Sequence, residues 1–72
     1  MRREQAVSVV KELVGNNLIQ ANWLSIDKRK PDSYELRFRG SCECFDLDTF
    51  LQNRNLAMEE NEEKGFRIIF KP

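Results

Sequence analysis

Histidine is absent from this chain, and cysteine, glycine and long apolar runs are all scarce. With two cysteines and no histidine, the chain lacks the ligand set of a structural zinc site, and a cysteine nucleophile would lack its usual base. The three glycines form no phosphate-binding loop. No apolar run approaches the ~20 residues needed to cross a bilayer. We therefore expect no enzyme activity, no metal or other cofactor, and no membrane partner.

The remaining composition is that of a small globular domain. The chain has 72 residues, of which 33% are charged and 40% hydrophobic, which predicts one domain over residues 1–72. Two cysteines are too few for a secreted disulfide scaffold. The basic start of the chain is interrupted by Glu4, which argues against an export signal. Cytoplasmic localisation is the resulting expectation.

Charge is balanced overall but divided along the chain. Residues 1–40 carry eight basic and five acidic side chains, whereas residues 41–72 carry four basic and seven acidic ones, so the two parts have net charges of +3 and −3. The chain thus lacks the overall positive charge typical of nucleic-acid-binding domains. The division itself indicates electrostatic binding to a partner.

Apolar periodicity predicts two helices and four strands in the order α-β-β-α-β-β. Lys30-Pro31-Asp32-Ser33 is expected to form a type I turn, with proline at its first central position. Gly65 is expected to adopt a left-handed conformation in the second hairpin loop. The predicted elements are a helix over 3–16, strands over 23–29 and 34–39, a helix over 47–54, and strands over 56–60 and 66–71.

A short phrase occurs twice, at residues 13–18 and 51–56, with matching leucines at both ends and a shared asparagine. It can be read as the trace of a duplication. The physical interpretation that we prefer is a helix stop, because asparagine tolerates the left-handed conformation and the last leucine then packs on the leucine five residues earlier.

Both cysteines lie in the stretch Ser41-Cys42-Glu43-Cys44-Phe45-Asp46. If the preceding strand continues, both thiols face the core as small hydrophobes. Asp46 then caps the second helix, and Phe45 packs on Phe50 in a hydrophobic staple. The alternatives are a redox pair, more usual as C-x-x-C, or a metal bridged between two chains. We interpret the stretch as structural.

Together these elements predict an α+β fold. We expect a two-layer α/β sandwich in which a four-stranded antiparallel sheet carries both helices on one face. The core is expected to contain Val7, Val10, Leu13, Val14, Leu24, Ile26, Leu36, Phe38, Leu47, Phe50, Leu51, Leu56, Phe66, Ile68 and Phe70.

The open face of the sheet is then the candidate binding surface. An exposed tryptophan among arginines can anchor a peptide or stack on a base, although a tryptophan tucked under a loop beside a solvated charged face explains the same residues. Acidic side chains in the second hairpin, among them Glu59, weaken the case for nucleic acid. The candidate site residues are Trp23, Arg29, Arg37, Arg39 and Arg67.

Two functions remain. The preferred hypothesis is a non-catalytic cytosolic module with a protein-binding or regulatory role, whose partner is another protein or a second copy of the chain. The alternative is weak binding of single-stranded nucleic acid, with Trp23 stacked on an unpaired base and the arginines holding phosphates.

Overall fold

The computed structural model describes residues 1–72 and has two helices and four strands. In chain order the elements are α1 (Arg3–Gly15), β1 (Ile19–Lys30), β2 (Ser33–Cys42), α2 (Cys44–Asn53), β3 (Ala57–Asn61) and β4 (Phe66–Phe70). All pairings in the sheet are antiparallel, in the order β1-β2-β4-β3. The predicted α+β class, with two helices and one antiparallel sheet, is confirmed. Neither helix is both long and apolar enough to cross a membrane.

The two helix stops are confirmed at the level of single hydrogen bonds. Asn17 and Asn55 both have φ of 56°. After each asparagine, the leucine amide donates back to the leucine carbonyl five residues earlier, Leu18 to Leu13 at 2.9 Å and Leu56 to Leu51 at 2.8 Å. The asparagine amides donate to the carbonyls of Val14 and Gln52. This is the Schellman motif, which satisfies carbonyls that the helix end would otherwise leave unpaired.

One cluster of buried side chains fills the core. It joins residues of both helices to Leu36 and Phe38 of β2 and Ile69 of β4. Helix α1 contributes Ala6, Val9 and Leu13, at the spacing of one helix face. Two expectations for α1 were wrong: Val7 is only half-buried, and Val14 is 53% exposed. Both valines lie beside the buried stripe rather than within it.

The predicted orientation of β4 was wrong. Ile69 is fully buried, with 0% exposure, and pairs with Leu36 of the core. Because side chains alternate along a strand, Phe66, Ile68 and Phe70 lie on the opposite sheet face. Phe66 is buried there, outside the core cluster, whereas Ile68 and Phe70 are half-buried.

Helix α2 begins three residues earlier than expected. The Leu47 amide donates to the Glu43 carbonyl at 2.8 Å, so Glu43 is the N-cap residue. The predicted cap at Asp46 and the staple between Phe45 and Phe50 are therefore wrong. Phe45 lies within the first turn and is 84% exposed, because a residue at that position faces away from the sheet-facing stripe of Leu47, Phe50 and Leu51.

The two hairpin turns differ in how well they were predicted. Asp32 has φ of 64°, which matches the third position of a type II turn and not the expected type I turn. Gly65 has φ of 72° and donates its amide to the Asn61 carbonyl at 2.8 Å. The left-handed glycine expected in the second loop is confirmed.

Candidate functional site on the outer sheet face

We call the sheet face opposite Leu36, Phe38 and Ile69 the outer face. A bulge in β1 places Trp23 on it. Ala21 pairs with Gly40 and Trp23 pairs with Arg39, so Asn22 has no partner across the strands. This extra residue reverses the alternation, because Ile19 is buried in the core whereas Trp23, four residues later, faces the other way.

Gly40 is required beside this bulge. Its φ is 144°, and a Cβ built at this position would lie 2.0 Å from the carbonyl oxygen of Gln20. No side chain can enter that space without moving the backbone of β1. The pair of Gly40 and the Asn22 bulge thus fixes the orientation of Trp23 through the backbone.

Aromatic and arginine side chains interleave across the outer face. The rings of Trp23 and Phe66 meet edge to face, with centroids 5.9 Å apart and planes at 84°. The Arg37 guanidinium lies 5.3 Å from the Phe66 ring centroid, and that of Arg29 lies 3.9 Å from the Phe70 ring centroid. These cation–π contacts cover the aromatic rings that β4 turns away from the core.

A buried carboxylate links two of the arginines. Glu35 is the only charged or polar residue that is buried, at 3% exposure. It accepts a hydrogen bond from Arg37 Nε at 2.6 Å and another from Arg29 Nη1 at 3.4 Å. The short bond to Glu35 raises the pKa of Arg37 above its ordinary value, with a smaller opposing contribution from burial. Two charges thus balance the loss of water around the carboxylate.

The remaining charges of the outer face are also paired or held. Asp27 lies 3.7 Å from Arg37 Nε, and Glu59 lies 3.3 Å from Arg29 Nη1. Arg39 has no carboxylate within 4 Å; it donates to the Lys64 carbonyl at 3.0 Å, and its guanidinium lies 5.2 Å from the Trp23 ring centroid. Three arginines and three carboxylates therefore give this face no net charge.

Four of the five predicted site residues come together on this face: Trp23, Arg29, Arg37 and Arg39. Trp23 is 40% exposed. Arg67 lies on the other face, because it pairs with the buried Phe38; its Nε donates to Glu60 Oε1 at 3.0 Å. The expectation that Arg67 shares the face of Trp23 was wrong, for the same reason as the orientation of β4.

Sequence reasoning missed the residues that connect the site. Phe66, Ile68 and Phe70 were assigned to the core, and Glu35 was not among the candidate site residues. The sequence does carry a signal, since Arg37 and Arg39 alternate with Leu36 and Phe38 in β2. Arginine side chains on one strand can pack over large apolar side chains of the neighbouring strand, here the three of β4.

The cysteines form a disulfide. Cys42 ends β2 and Cys44 begins α2, and the turn at Glu43 brings their Cα atoms within 5.0 Å, a distance suited to a disulfide. The expectation of two free, inward-facing thiols was wrong. Cys42 is half-buried and packs on the core, whereas Cys44 is exposed.

No protein-family model matches the chain, and no curated protein or solved structure is significantly similar to it.

Proposed function

We propose that the chain is a protein-binding module, that its binding surface is the outer face around Trp23, which carries no catalytic function, and that its partner is a second copy of the chain. The observation that carries the proposal is a partly exposed tryptophan among apolar rings, on a face whose charges cancel. Aromatic residues and arginine are the side chains most enriched at the energetic centre of protein interfaces.

This proposal includes the two-layer arrangement with both helices on one side. Its support is the single core cluster, in which buried residues of α1 and α2 join Leu36, Phe38 and Ile69 of one sheet face. A helix on the outer face would need a second apolar cluster to bury its own stripe. With both helices on the core side, the outer face is left free for a partner.

Charge placement supports a second copy of the chain as that partner. The turn of the first hairpin is flanked by Lys28 and Lys30, and the loop of the second hairpin carries Glu62 and Glu63. The two loops lie at opposite ends of the sheet, since Arg39, at the far end of β2 from the first turn, contacts Lys64. An antiparallel pair of outer faces would bring the basic end of one copy to the acidic end of the other.

The same features disfavour the nucleic-acid alternative. Carboxylates interrupt the arginines, and Glu35 already occupies the guanidinium groups of Arg29 and Arg37. Arg39 lies over the Trp23 ring, where a base would stack. To bind phosphates, these arginines would have to give up contacts that are already favourable and form other favourable contacts in their place.

The test is size-exclusion chromatography with light scattering at about 0.05 M and 0.5 M salt, on the wild type and two variants. The wild type is expected to dimerise. The dimer should be weaker at high salt, because salt screens the attraction between the basic end of one copy and the acidic end of the other. Trp23→Ala should be monomeric. Phe45→Ala is the matched control, since Phe45 is exposed but lies on α2, and it should still dimerise.

Two results would overturn the proposal. A wild-type chain that stays monomeric at about 100 µM has no affinity of the expected kind. Alternatively, quenching of Trp23 fluorescence by a single-stranded oligonucleotide, with a salt slope near −0.7 per neutralised phosphate, would assign the face to nucleic acid. To identify this face as the binding site, the quenching would also have to be absent in the Arg39→Gln variant.

The chemistry of the disulfide also bears on location. Disulfides are rare in reducing compartments, so the bond between Cys42 and Cys44 is evidence against the cytoplasmic location expected from the sequence. The absence of catalytic function is proposed for the outer face, in a chain that has no histidine.

A further inference from the structure

An arginine lies against the disulfide. Arg67 Nη1 is 3.0 Å from Cys42 Sγ, and the Nε of the same guanidinium is bonded to Glu60. Arg67 is held there by β4, whose register with β2 places it beside Phe38 on the core side of the sheet. A purely structural disulfide needs no such cation, because neither sulfur is charged while the bond is intact.

The two sulfurs differ in access. Cys44 is exposed and is the first residue of the ten-residue helix α2, whereas Cys42 is half-buried against the core. Backbone amides at a helix start stabilise a thiolate. With one intervening residue, this disulfide also closes a very short loop and so contributes little loop entropy to the fold.

We propose that Cys42 and Cys44 form a thiol–disulfide exchange site whose substrates are thiols, with Cys44 as the sulfur that partners attack and Cys42 as the leaving and resolving sulfur. Arg67 is a positioning residue that stabilises the Cys42 thiolate. This inference does not depend on the function proposed for the outer face.

The exchange balances with a thiol as reductant. A thiolate attacks Cys44 Sγ, the Cys42–Cys44 bond breaks, and its electron pair leaves on Cys42 as a thiolate beside Arg67. A second thiolate attacks the outer sulfur of the mixed disulfide, which releases Cys44 as a thiolate. Protonation of both thiolates gives one protein dithiol and one oxidised substrate disulfide, and the reverse sequence oxidises a substrate dithiol.

The test measures reduction of the full chain by glutathione, with a peptide dithiol as a parallel arm, followed by thiol trapping and mass spectrometry. Arg67→Gln should slow reduction by roughly threefold or more, because the leaving thiol is less stabilised. Arg3→Gln, an exposed arginine without an ion pair, is the matched control and should leave the rate unchanged. Faster reduction by the peptide dithiol would identify a protein substrate. Reduction by glutathione at an equal or greater rate would identify a small-molecule substrate.

Two further variants keep the proposal testable if Arg67→Gln does not fold. Glu60→Gln removes the carboxylate that shares the Arg67 guanidinium and should accelerate reduction. Cys42→Ser should accumulate a mixed disulfide with oxidised glutathione on Cys44 faster than Cys44→Ser does on Cys42. Free thiols in the air-oxidised protein, resistance to millimolar glutathione, or rates insensitive to both Arg67 and Glu60 would each overturn the proposal.

Discussion

Two adjacent isoleucines in β4 give a direct test of the fold, because the structure assigns them to opposite sheet faces. Ile69 has 0% exposure and lies between Leu36 and Met58, whereas Ile68 is half-buried beside Arg37 and Glu59. Ile69→Ala should therefore lower the free energy of unfolding by about 3–4 kcal/mol, which includes the cavity left in the core. Ile68→Ala should cost about 1 kcal/mol, because it exposes less apolar area.

The total stability makes this difference easy to see. A 72-residue chain is expected to have a free energy of unfolding of about 4–11 kcal/mol, so Ile69→Ala would remove a large fraction of it. Urea unfolding followed by circular dichroism and by Trp23 fluorescence measures both variants at a common m-value. If Ile69→Ala is too unstable, the milder Ile69→Val and Ile68→Val pair replaces it, with about 1 kcal/mol expected at Ile69. A larger loss at Ile68 than at Ile69 would refute the register of β4.

Three further changes test the outer face. Gly40→Ala should destabilise the fold by roughly 1–3 kcal/mol, because its Cβ meets the Gln20 carbonyl. Gly15→Ala is the control and should stabilise the fold slightly, because the space around Gly15 is open. Equal effects of the two substitutions in chemical unfolding would contradict the bulge geometry. Glu35→Gln should cost about 1–2 kcal/mol, since both arginines are partly exposed, and thermal unfolding without any loss would show that the carboxylate is not a link. The raised pKa of Arg37 means that its contribution is complete below the unfolded arginine pKa and lost only as pH rises through the folded value. Arg37→Gln should thus cost the same at about pH 7 and pH 9, and a difference between those two unfolding experiments would contradict this.

Local features of the fold could be predicted from the sequence, whereas features set by distant pairing could not. The helix stops at Asn17 and Asn55 depend only on the residues around them, so the repeated phrase was sufficient. The orientation of β4 depends on its register with β2. Both sets of alternate residues in β4 contain isoleucine, and the set with two phenylalanines is the more apolar one. In the structure this set lies on the outer face, where Arg29 and Arg37 stack on Phe70 and Phe66, contacts that hydrophobicity alone does not predict.

The candidate site was partly predictable for a related reason. Trp23, Arg37 and Arg39 follow from alternation within β1 and β2 once Leu36 and Phe38 are assigned to the core. The disulfide was missed because the strand was assumed to continue through Cys44, whereas β2 ends at Cys42 and the chain turns at once into α2. No periodicity in the sequence indicates such a direct strand-to-helix transition.

We propose that the chain binds a second copy of itself through the outer face around Trp23. The most direct measurement is a dilution series of isotope-labelled protein followed by amide NMR, from about 500 µM to 10 µM. If the outer faces pair, the amide chemical shifts of Trp23, Arg37, Arg39 and Ile68 should change with concentration, and those of α2 around Phe45 should not. Spectra that are independent of concentration, or changes confined to α2, would contradict it.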